Sequence, residues 1–159
     1  MHRVRAVPWR YGSAVNFETS VRIERPVDDV FDYVSDPRNF PRWNSAVQSV
    51  REIGSAKRGV GATYLMERDL PGGRAENELE IVDWDRPAAF AIRTTSGPTP
   101  FLYRYRFSTE EASTLLELSA EVELSGIAGA LGPLASRGVK RGVDSNFADL
   151  KRILEADSG

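Results

Sequence analysis

One long amphipathic segment near the end of the chain, residues 131–155, restricts what the preceding residues can fold into. Its apolar residues are Leu131, Ala135, Val139, Val143, Phe147, Leu150 and Leu154. Gaps of three and four positions place them on one face of an α-helix, with charged residues on the other face. At 1.5 Å per residue the helix is about 38 Å long, roughly the width of a small domain. It therefore needs a broad apolar partner, which must come from the rest of the chain.

Three residues do not fit a plain apolar face. Asn146 projects into its middle, where an amide without a partner would cost about 1–3 kcal/mol. It is either a core amide bonded to the backbone or an amide that faces a ligand cavity. Gly138 and Gly142 lie at the edge of the face, and each costs about 1 kcal/mol relative to alanine in a helix. They indicate a kink or close contact with a strand, or else space left for a bound molecule.

Composition excludes several kinds of active site. The chain has no cysteine, and its one histidine is His2, so we expect no disulfide, thiol chemistry, histidine triad or histidine metal cluster. The 21 basic and 23 acidic residues give a net charge of −2, which does not favour a nucleic-acid partner. Neither a signal peptide nor the roughly 18 apolar residues of a membrane span is visible. We therefore expect a cytoplasmic protein of one domain, residues 1–159, with an irregular segment at 1–12.

The first part of the chain has the pattern of a strand followed by two short helices. Apolar and polar residues alternate over residues 15–23, which is typical of a half-buried strand. Pro26 then opens a helix, and Asp36-Pro37 ends it. Residues 39–44 form a second, shorter helical turn.

Six further strands complete the predicted sheet. They are Val47–Ile53, Ala62–Leu70, Ala75–Trp84, Ala89–Ser96, Phe101–Ser108 and Thr114–Leu124. If segments 71–74 and 97–100 are the loops of two hairpins, Met66 lies opposite Leu79, and Ile92 lies opposite Tyr105. The connections between these strands are short, so the sheet should be antiparallel. One face of each strand is apolar, and the long helix is the element large enough to cover that face.

The other face of the sheet is predicted to be charged. Arg104 and Arg106 point outward on strand parity, as do Glu117, Glu121 and Glu123. Such exposed pairs could meet across the strands, and each would stabilise the fold by at most about 1 kcal/mol.

One segment resembles a known superfamily. The strand that ends in Pro26, the Val-Phe-x-Tyr-Val helix, Asp36-Pro37 and the Trp43 turn together resemble the START-like, helix-grip superfamily, also called the polyketide cyclase/dehydrase and lipid-transport superfamily. The Gly59–Ala62 segment and the final helix also fit, and the likeness covers about residues 13–156. The resemblance implies an α+β fold in which a curved antiparallel sheet of about seven strands grips the long C-terminal helix around an apolar cavity. It also implies architectural roles for Asp36 and Trp43.

Strand parity and the helix face together select the residues that would line this cavity. The predicted ligand-binding residues are Tyr64, Met66, Arg68, Asn77, Leu79, Phe90, Ile92, Thr94, Tyr103, Tyr105, Leu118, Gly142, Val143, Asn146 and Phe147. Apolar walls with a few polar groups are typical of small-molecule pockets. Each polar member has an alternative role in which it packs in the core or reaches water at a strand end. No catalytic residue, metal site or cofactor is predicted.

Three functions remain open. The first is binding or carriage of a small hydrophobic molecule, such as a lipid, polyketide or quinone-like compound. The second is a polyketide cyclase/dehydrase-type enzyme, in which Tyr64, Tyr103 or Arg68 polarises a carbonyl of a bound ketide. The third is a protein-interaction module without a ligand. An open cavity favours the first two, and a filled core with an apolar outer patch favours the third.

Overall fold

Seven strands and a long C-terminal helix account for most of the fold. The computed structural model describes residues 13–70, 72–124 and 132–156. The strands are β1 (Ser13–Ile23), β2 (Val47–Ile53), β3 (Thr63–Leu70), β4 (Gly73–Asp85), β5 (Ala89–Ser96), β6 (Phe101–Glu110) and β7 (Ser113–Leu124). The helices are α1 (Val27–Val34), α2 (Phe40–Trp43) and α3 (Gly132–Ala156), with a 3₁₀ turn at Pro37–Asn39. The expected irregular segment 1–12, Pro71 and Leu131 lie outside the described residues.

The strands form a single curved antiparallel sheet in the order β1-β7-β6-β5-β4-β3-β2. Consecutive strands are neighbours from β2 to β7, and β1 pairs with β7 from Ser13–Leu124 to Ile23–Thr114. The first and last strands therefore meet although about a hundred residues separate them. The prediction of an α+β fold with an antiparallel sheet, two short helices and a C-terminal helix is confirmed.

Helix α3 is held against the edge strand β1. The Lys151 ammonium group donates to the carbonyl oxygen of Arg22 at 2.7 Å, and the Arg25 guanidinium donates to the carbonyl oxygen of Leu154 at 2.9 Å. Farther toward the start of α3, the Thr19 hydroxyl donates to the Asp144 carboxylate. These bonds join the helix to the C-terminal half of β1 and to the residues just after it, so they fix the helix over the concave face of the sheet.

The β3–β4 hairpin is tighter than the sequence predicts. Met66 lies opposite Asn77, and Leu70 lies opposite Gly73, so two positions instead of four separate the strands. The predicted pairing of Met66 with Leu79 is therefore wrong. Gly73 takes a φ of +123°, a conformation that is open to glycine and that lets a two-residue connection close the hairpin. A shift of two residues leaves every side chain on its predicted face, because strand side chains alternate with period two.

The register of the β5–β6 hairpin is shifted in the same direction. Ile92 pairs with Tyr103, so the predicted pairing of Ile92 with Tyr105 is wrong by two residues. The Thr94 hydroxyl accepts a hydrogen bond from the backbone N–H of Phe101 at 3.0 Å and replaces a backbone pair at the end of the hairpin. Backbone pairing of β5 with β6 stops at Arg93–Leu102, and the loop 97–100 turns through Gly97 and Thr99, both with positive φ.

An aromatic cluster fills the core beneath α1. The Phe31 ring packs edge-on against the rings of Trp84 and Phe107, with centroids 5.0 and 5.1 Å apart. Phe90 stacks on Tyr105 at 4.7 Å. These rings close the space between sheet and helices at this end of the molecule, and such contacts contribute about 0.5–1.5 kcal/mol each beyond their buried area.

The outer face of the sheet is only partly as predicted. Arg104 bridges Glu121 at 3.5 Å, and the described residues show no ion pair between Arg106 and a glutamate. Leu102 and Ala91 also point to this face and are buried. This face is therefore less exposed in its centre than a purely charged surface would be.

Candidate functional site

A cavity of about 200 Å³ lies between the sheet and the N-terminal half of α3. Its walls come from α2, the start of β2, the ends of β3 and β6 nearest their turns, and α3. The described lining residues are Phe40, Trp43, Asn44, Ser45, Ala46, Val47, Met66, Arg68, Phe101, Tyr103, Tyr105, Val139, Gly142, Val143 and Asn146. The concave sheet therefore does not close fully against the helix.

A larger depression, of about 510 Å³, lies on the outer face of the sheet. Charged and small side chains border it, among them Glu18, Arg104, Arg106 and Glu117. Its walls lack the apolar character that ligand pockets usually have. The smaller inner cavity is the better candidate site, because it combines aromatic and aliphatic walls with a few polar groups.

The structure brings about half of the predicted site residues together at the inner cavity. Those that line it are Met66, Arg68, Tyr103, Tyr105, Gly142, Val143 and Asn146. The apolar residues that are buried in the core without lining it are Leu79, Phe90, Ile92, Leu118 and Phe147, and Tyr64 is buried with them. Asn77 and Thr94 hold hairpin turns and do not line the cavity. A role in ligand binding stays a prediction for every one of these residues.

Arg68 is a cation that the protein holds by neutral groups. Its Nε donates to the side-chain oxygen of Asn77 at 2.9 Å, and one Nη donates to the carbonyl oxygen of Pro98 at 2.8 Å. Burial lowers the pKa of Arg68, and Tyr103 partly offsets this effect, yet an arginine stays charged at neutral pH. Within the ranges that the structure describes, no carboxylate lies within salt-bridge distance of it. Its charge is therefore available to a ligand oxygen in the cavity.

Asn77 positions Arg68 and the β5–β6 loop. It is completely buried, and its side-chain nitrogen donates to the carbonyl oxygens of Ser96 and Pro98 at 3.0 and 2.8 Å. Its oxygen accepts the bond from Arg68. Because both polar ends of the amide are occupied, Asn77 orients the arginine, and it does not line the cavity.

Tyr103 and Tyr105 supply neutral hydroxyl groups to the cavity. Burial raises the pKa of Tyr103 to about 12, although the Arg68 charge lowers it in part. Burial also raises the pKa of Tyr105 well above its ordinary value, with a further contribution from Tyr103. Neither hydroxyl bonds to a side chain or backbone group in the described part of the chain. Both therefore act as hydrogen-bond donors, and neither is a ready base.

Asn146 has one end satisfied by the protein. Its oxygen accepts the backbone N–H of Ser45 at 3.3 Å, and the residue is 8% exposed. No described residue bonds to its amide nitrogen, and Asn146 lines the cavity. Asn146 is thus in part a core amide bonded to the backbone, through its oxygen. It also lines the cavity, where its amide nitrogen has no bond to a described residue.

Sequence reasoning missed the wall that α2 and the following residues form. Phe40, Trp43 and residues 44–47 line the cavity, and the indole nitrogen of Trp43 is buried with no hydrogen-bond partner among the described residues. Trp43 packs against Phe40 and Phe147 at 5.4 and 6.2 Å between ring centroids. Helix α2 is too short to show a periodic pattern, and the pattern of α3 does not indicate which residues lie across the cavity from it. The sequence therefore did not predict this wall.

The described residues contain neither a metal-binding cluster nor a membrane-spanning helix. Across residues 13–70, 72–124 and 132–156, no three His, Cys, Asp or Glu side chains are grouped so that they could hold a metal ion. Of the helices described, none combines the length and the apolar character needed to cross a bilayer.

Several solved structures share this fold at low sequence identity. A START superfamily protein from Mycobacterium smegmatis matches with a TM-score of 0.77 and 14% identity, over 90% of this chain and 99% of that one. The Zhui aromatase/cyclase from Streptomyces sp. R1128 matches with a TM-score of 0.69 and 19% identity, over 90% and 94%. The major latex-like protein 151 from Panax ginseng matches with 0.66 and 13%, over 89% and 97%. At these identities the likeness concerns the fold alone.

The sequence itself matches a family model. The model described as polyketide cyclase/dehydrase and lipid transport covers residues 14–155. A search of curated protein sequences found no match. Because the model spans nearly the whole chain, this protein belongs to the polyketide cyclase/dehydrase and lipid transport family, and its fold is the helix-grip fold.

Proposed function

We propose that this protein binds and carries a small hydrophobic molecule that bears carbonyl or anionic oxygen, in the cavity between the sheet and α3. Family membership supports a ligand-binding or polyketide cyclase-type protein. The observation that carries the finer proposal is the chemistry of the cavity wall. The wall contains a guanidinium, two phenol hydroxyls and an amide that can each donate a hydrogen bond, Asn44 and Ser45 are its other polar side chains, and most of the remaining lining residues are apolar.

The donors surround the cavity on more than one side. Arg68 lies on β3, Tyr103 and Tyr105 lie on β6, and Asn146 lies on α3. Of the described residues that line the cavity, none is Asp or Glu. A ligand oxygen would satisfy these donors, whereas an ammonium group would be desolvated beside Arg68 without a counter-ion. Quinones and polyketides carry the required oxygens on an apolar skeleton.

The size of the cavity further restricts which ligands could fit. Pockets for drug-sized ligands usually measure about 300–1,000 Å³, and this cavity measures about 200 Å³. A compact bicyclic compound or a short ketide is of the right order. A long-chain lipid would require α3 to move away from the sheet.

The test compares three probes of similar shape. We expect a naphthoquinone to bind more tightly than naphthalene, and an aminomethylnaphthalene to bind most weakly, in displacement of a fluorescent apolar dye. Tyr103→Phe removes a hydroxyl without a partner among the described residues, so the fold should persist. A lost hydrogen bond of about 0.5–1.5 kcal/mol should weaken quinone binding about two- to tenfold.

The control for this comparison is naphthalene binding to the same variant. Tyr103→Phe should leave the affinity for naphthalene nearly unchanged, because that probe has no oxygen to accept the bond. Equal affinities of the wild-type protein for all three probes would refute the donor argument. Failure of every probe to displace the dye would refute the cavity as a binding site.

A second candidate function is that of a polyketide cyclase/dehydrase-type enzyme. The observation that favours it is the placement of Arg68 and Tyr103 on one cavity wall, where both could polarise a ketone oxygen. The raised pKa of Tyr103 makes it a hydrogen-bond donor or acid in such a reaction. If mass spectrometry shows that a bound short-chain polyketone is released as a cyclised or dehydrated product, the enzyme is favoured over the carrier.

A further inference from the structure

The exposed side of the N-terminal half of α3 carries arginines and one leucine. Leu134 is 66% exposed, and Arg137 and Arg141 are exposed as well. Their spacing of three and four residues places them in one stripe along the helix. Among the described residues, neither arginine forms an ion pair, and Lys140 on the flank pairs with Asp144 at 2.7 Å. We call Leu134, Arg137 and Arg141 the cationic stripe.

The cationic stripe has no counter-charge on its own part of the helix. Residues 132–143 include Arg137, Lys140 and Arg141 and no acidic residue. Lys140 pairs with Asp144, whereas no described carboxylate lies within ion-pair distance of either arginine. An external anionic partner would account for both the charges and the exposed leucine.

The stripe lies on the same helical turns as the cavity wall. The cavity is lined on this helix by Val139, Gly142 and Val143. The side chains of the two arginines project from the opposite side of the same turns. At Gly138 and Gly142 an added Cβ would meet no atom within 4 Å, so this half of the helix is loosely surrounded. A contact made by the stripe therefore acts directly on the element that closes the cavity.

We propose that the cationic stripe docks on the surface of an anionic lipid bilayer. Phospholipid head groups supply a dense layer of negative charge for Arg137 and Arg141, and the interface accepts an exposed leucine. Two cations and one apolar side chain give weak, reversible attachment, which suits a protein that collects or delivers an apolar molecule at a membrane. An acidic protein partner would not need Leu134 to be exposed.

The test uses the full chain and sedimentation with lipid vesicles. We expect binding to vesicles that contain phosphatidylglycerol, little binding to vesicles of phosphatidylcholine alone, and loss of binding at high salt, which screens charge. The double variant R137E/R141E should bind the anionic vesicles at least about tenfold more weakly. Both arginines are exposed and form no ion pair with a described residue, so this variant should remain folded by circular dichroism. Leu134→Ser should bind with intermediate strength.

A matched control separates the stripe from total charge. R51E/K57E makes the same charge change at two exposed positions of β2 and the following loop and should bind vesicles like the wild type, allowing for its lower net charge. Equal losses in both double variants, binding to neutral vesicles, or no binding to either vesicle would overturn the proposal, as would attachment to acidic proteins alone. Dye displacement by the naphthoquinone should be unchanged in R137E/R141E, so failure here leaves the proposed ligand function standing.

Discussion

At position 142 the absence of a side chain keeps part of the cavity open. Gly142 lines the cavity, and a Cβ added there would meet no atom within 4 Å. The alternative that this glycine provides close contact with a strand is therefore wrong. The same holds for Gly138, although that residue does not line the cavity.

Gly142→Leu should block ligand binding without damage to the fold. The leucine side chain would enter the cavity, and loss of a mid-helix glycine favours the helix by up to about 1 kcal/mol. We expect at least about a tenfold loss of affinity for the naphthoquinone, because the side chain competes for a cavity that is already small. The melting temperature should be equal or higher.

Gly138→Leu is the matched control for this prediction. It makes the same change one helical turn earlier, outside the described cavity lining. It should raise helix stability in a similar way and leave ligand affinity within about twofold. Equal loss of affinity in both variants would show that helix stiffness, and not cavity space, controls binding.

Strand parity could predict which side chains face inward but not which of them meet a cavity. Tyr64 and Phe90 point to the same face of the sheet as Tyr103, and all three were assigned to the site on that basis. The Phe90 ring packs against Phe31 of α1, with 5.9 Å between ring centroids. No aromatic ring of a described helix packs against the Tyr103 ring in the same way. The difference depends on which element covers each strand, and no local pattern contains that information.

The β5–β6 loop is the element that positions the charged group of the cavity. Its carbonyl oxygens at Pro98 and Thr99 accept hydrogen bonds from Arg68 at 2.8 and 3.4 Å. Gly97 allows this arrangement because its φ is +97° and because a Cβ there would overlap the carbonyl oxygen of Glu76 and lie 2.6 Å from the Asn77 amide nitrogen. No other residue type can occupy position 97 without moving the loop.

Gly97→Ala should therefore destabilise the protein and disturb the cavity together. Strain from positive φ and the overlap with Glu76 should reduce the free energy of unfolding by at least about 2 kcal/mol. Gly73→Ala has positive φ but no atom within 4 Å of the added Cβ, so it should cost about 1–2 kcal/mol. Gly72→Ala has neither feature and should be nearly neutral. Urea unfolding of the three variants measures the order, and a Gly97→Ala protein as stable as Gly72→Ala would contradict it.

The two hairpins show why element boundaries were predictable and strand registers were not. Residues 71–74 and 97–100 both contain the proline and glycine of a turn, yet pairing continues to Leu70–Gly73 in the first hairpin and stops at Arg93–Leu102 in the second. Where the pairing ends depends on local details, such as the φ of Gly73 and the hydrogen bond from the Phe101 N–H to the Thr94 hydroxyl. Side-chain faces survived both errors because each was a shift by two.

Within the molecule as a whole, the C-terminal half of α3 packs against a filled core, and its N-terminal half borders the cavity. Its C-terminal turns bury Phe147, Leu150 and Leu154, whereas Val139 and Val143 near its start are half-buried beside the cavity. The apolar spacing of α3 predicted a broad apolar partner, but not which of its turns would border a cavity. The two halves differ because the Phe31 ring of α1 fills the core at one end, whereas α2 does not close the space between sheet and helix at the other.

Carboxylates hold the helix to the sheet, and their pKa values set the response of the fold to acid. Hydrogen bonds from Lys151 and from the Glu24 N–H lower the pKa of Glu155. Burial would raise the pKa of Asp144, but hydrogen bonds from Lys140 and Thr19 outweigh it and hold that pKa below its ordinary value of 3.8. Because each folded-state pKa is below the unfolded one, the unfolded chain binds more protons, and these groups stabilise the fold above their ordinary pKa values.

That stabilisation should be lost as the pH falls through the lowered pKa values, below about 4. The variant Asp144→Asn/Glu155→Gln should be less stable than the wild type at pH 7 and should lose less additional stability in acid, measured by urea unfolding across that range. Asp85→Asn/Glu123→Gln removes the same charges at positions without an ion pair in the described structure, and it should keep the wild-type slope. Identical pH slopes for all three proteins would mean that the bonds between α3 and β1 contribute nothing measurable to the grip of the sheet on its helix.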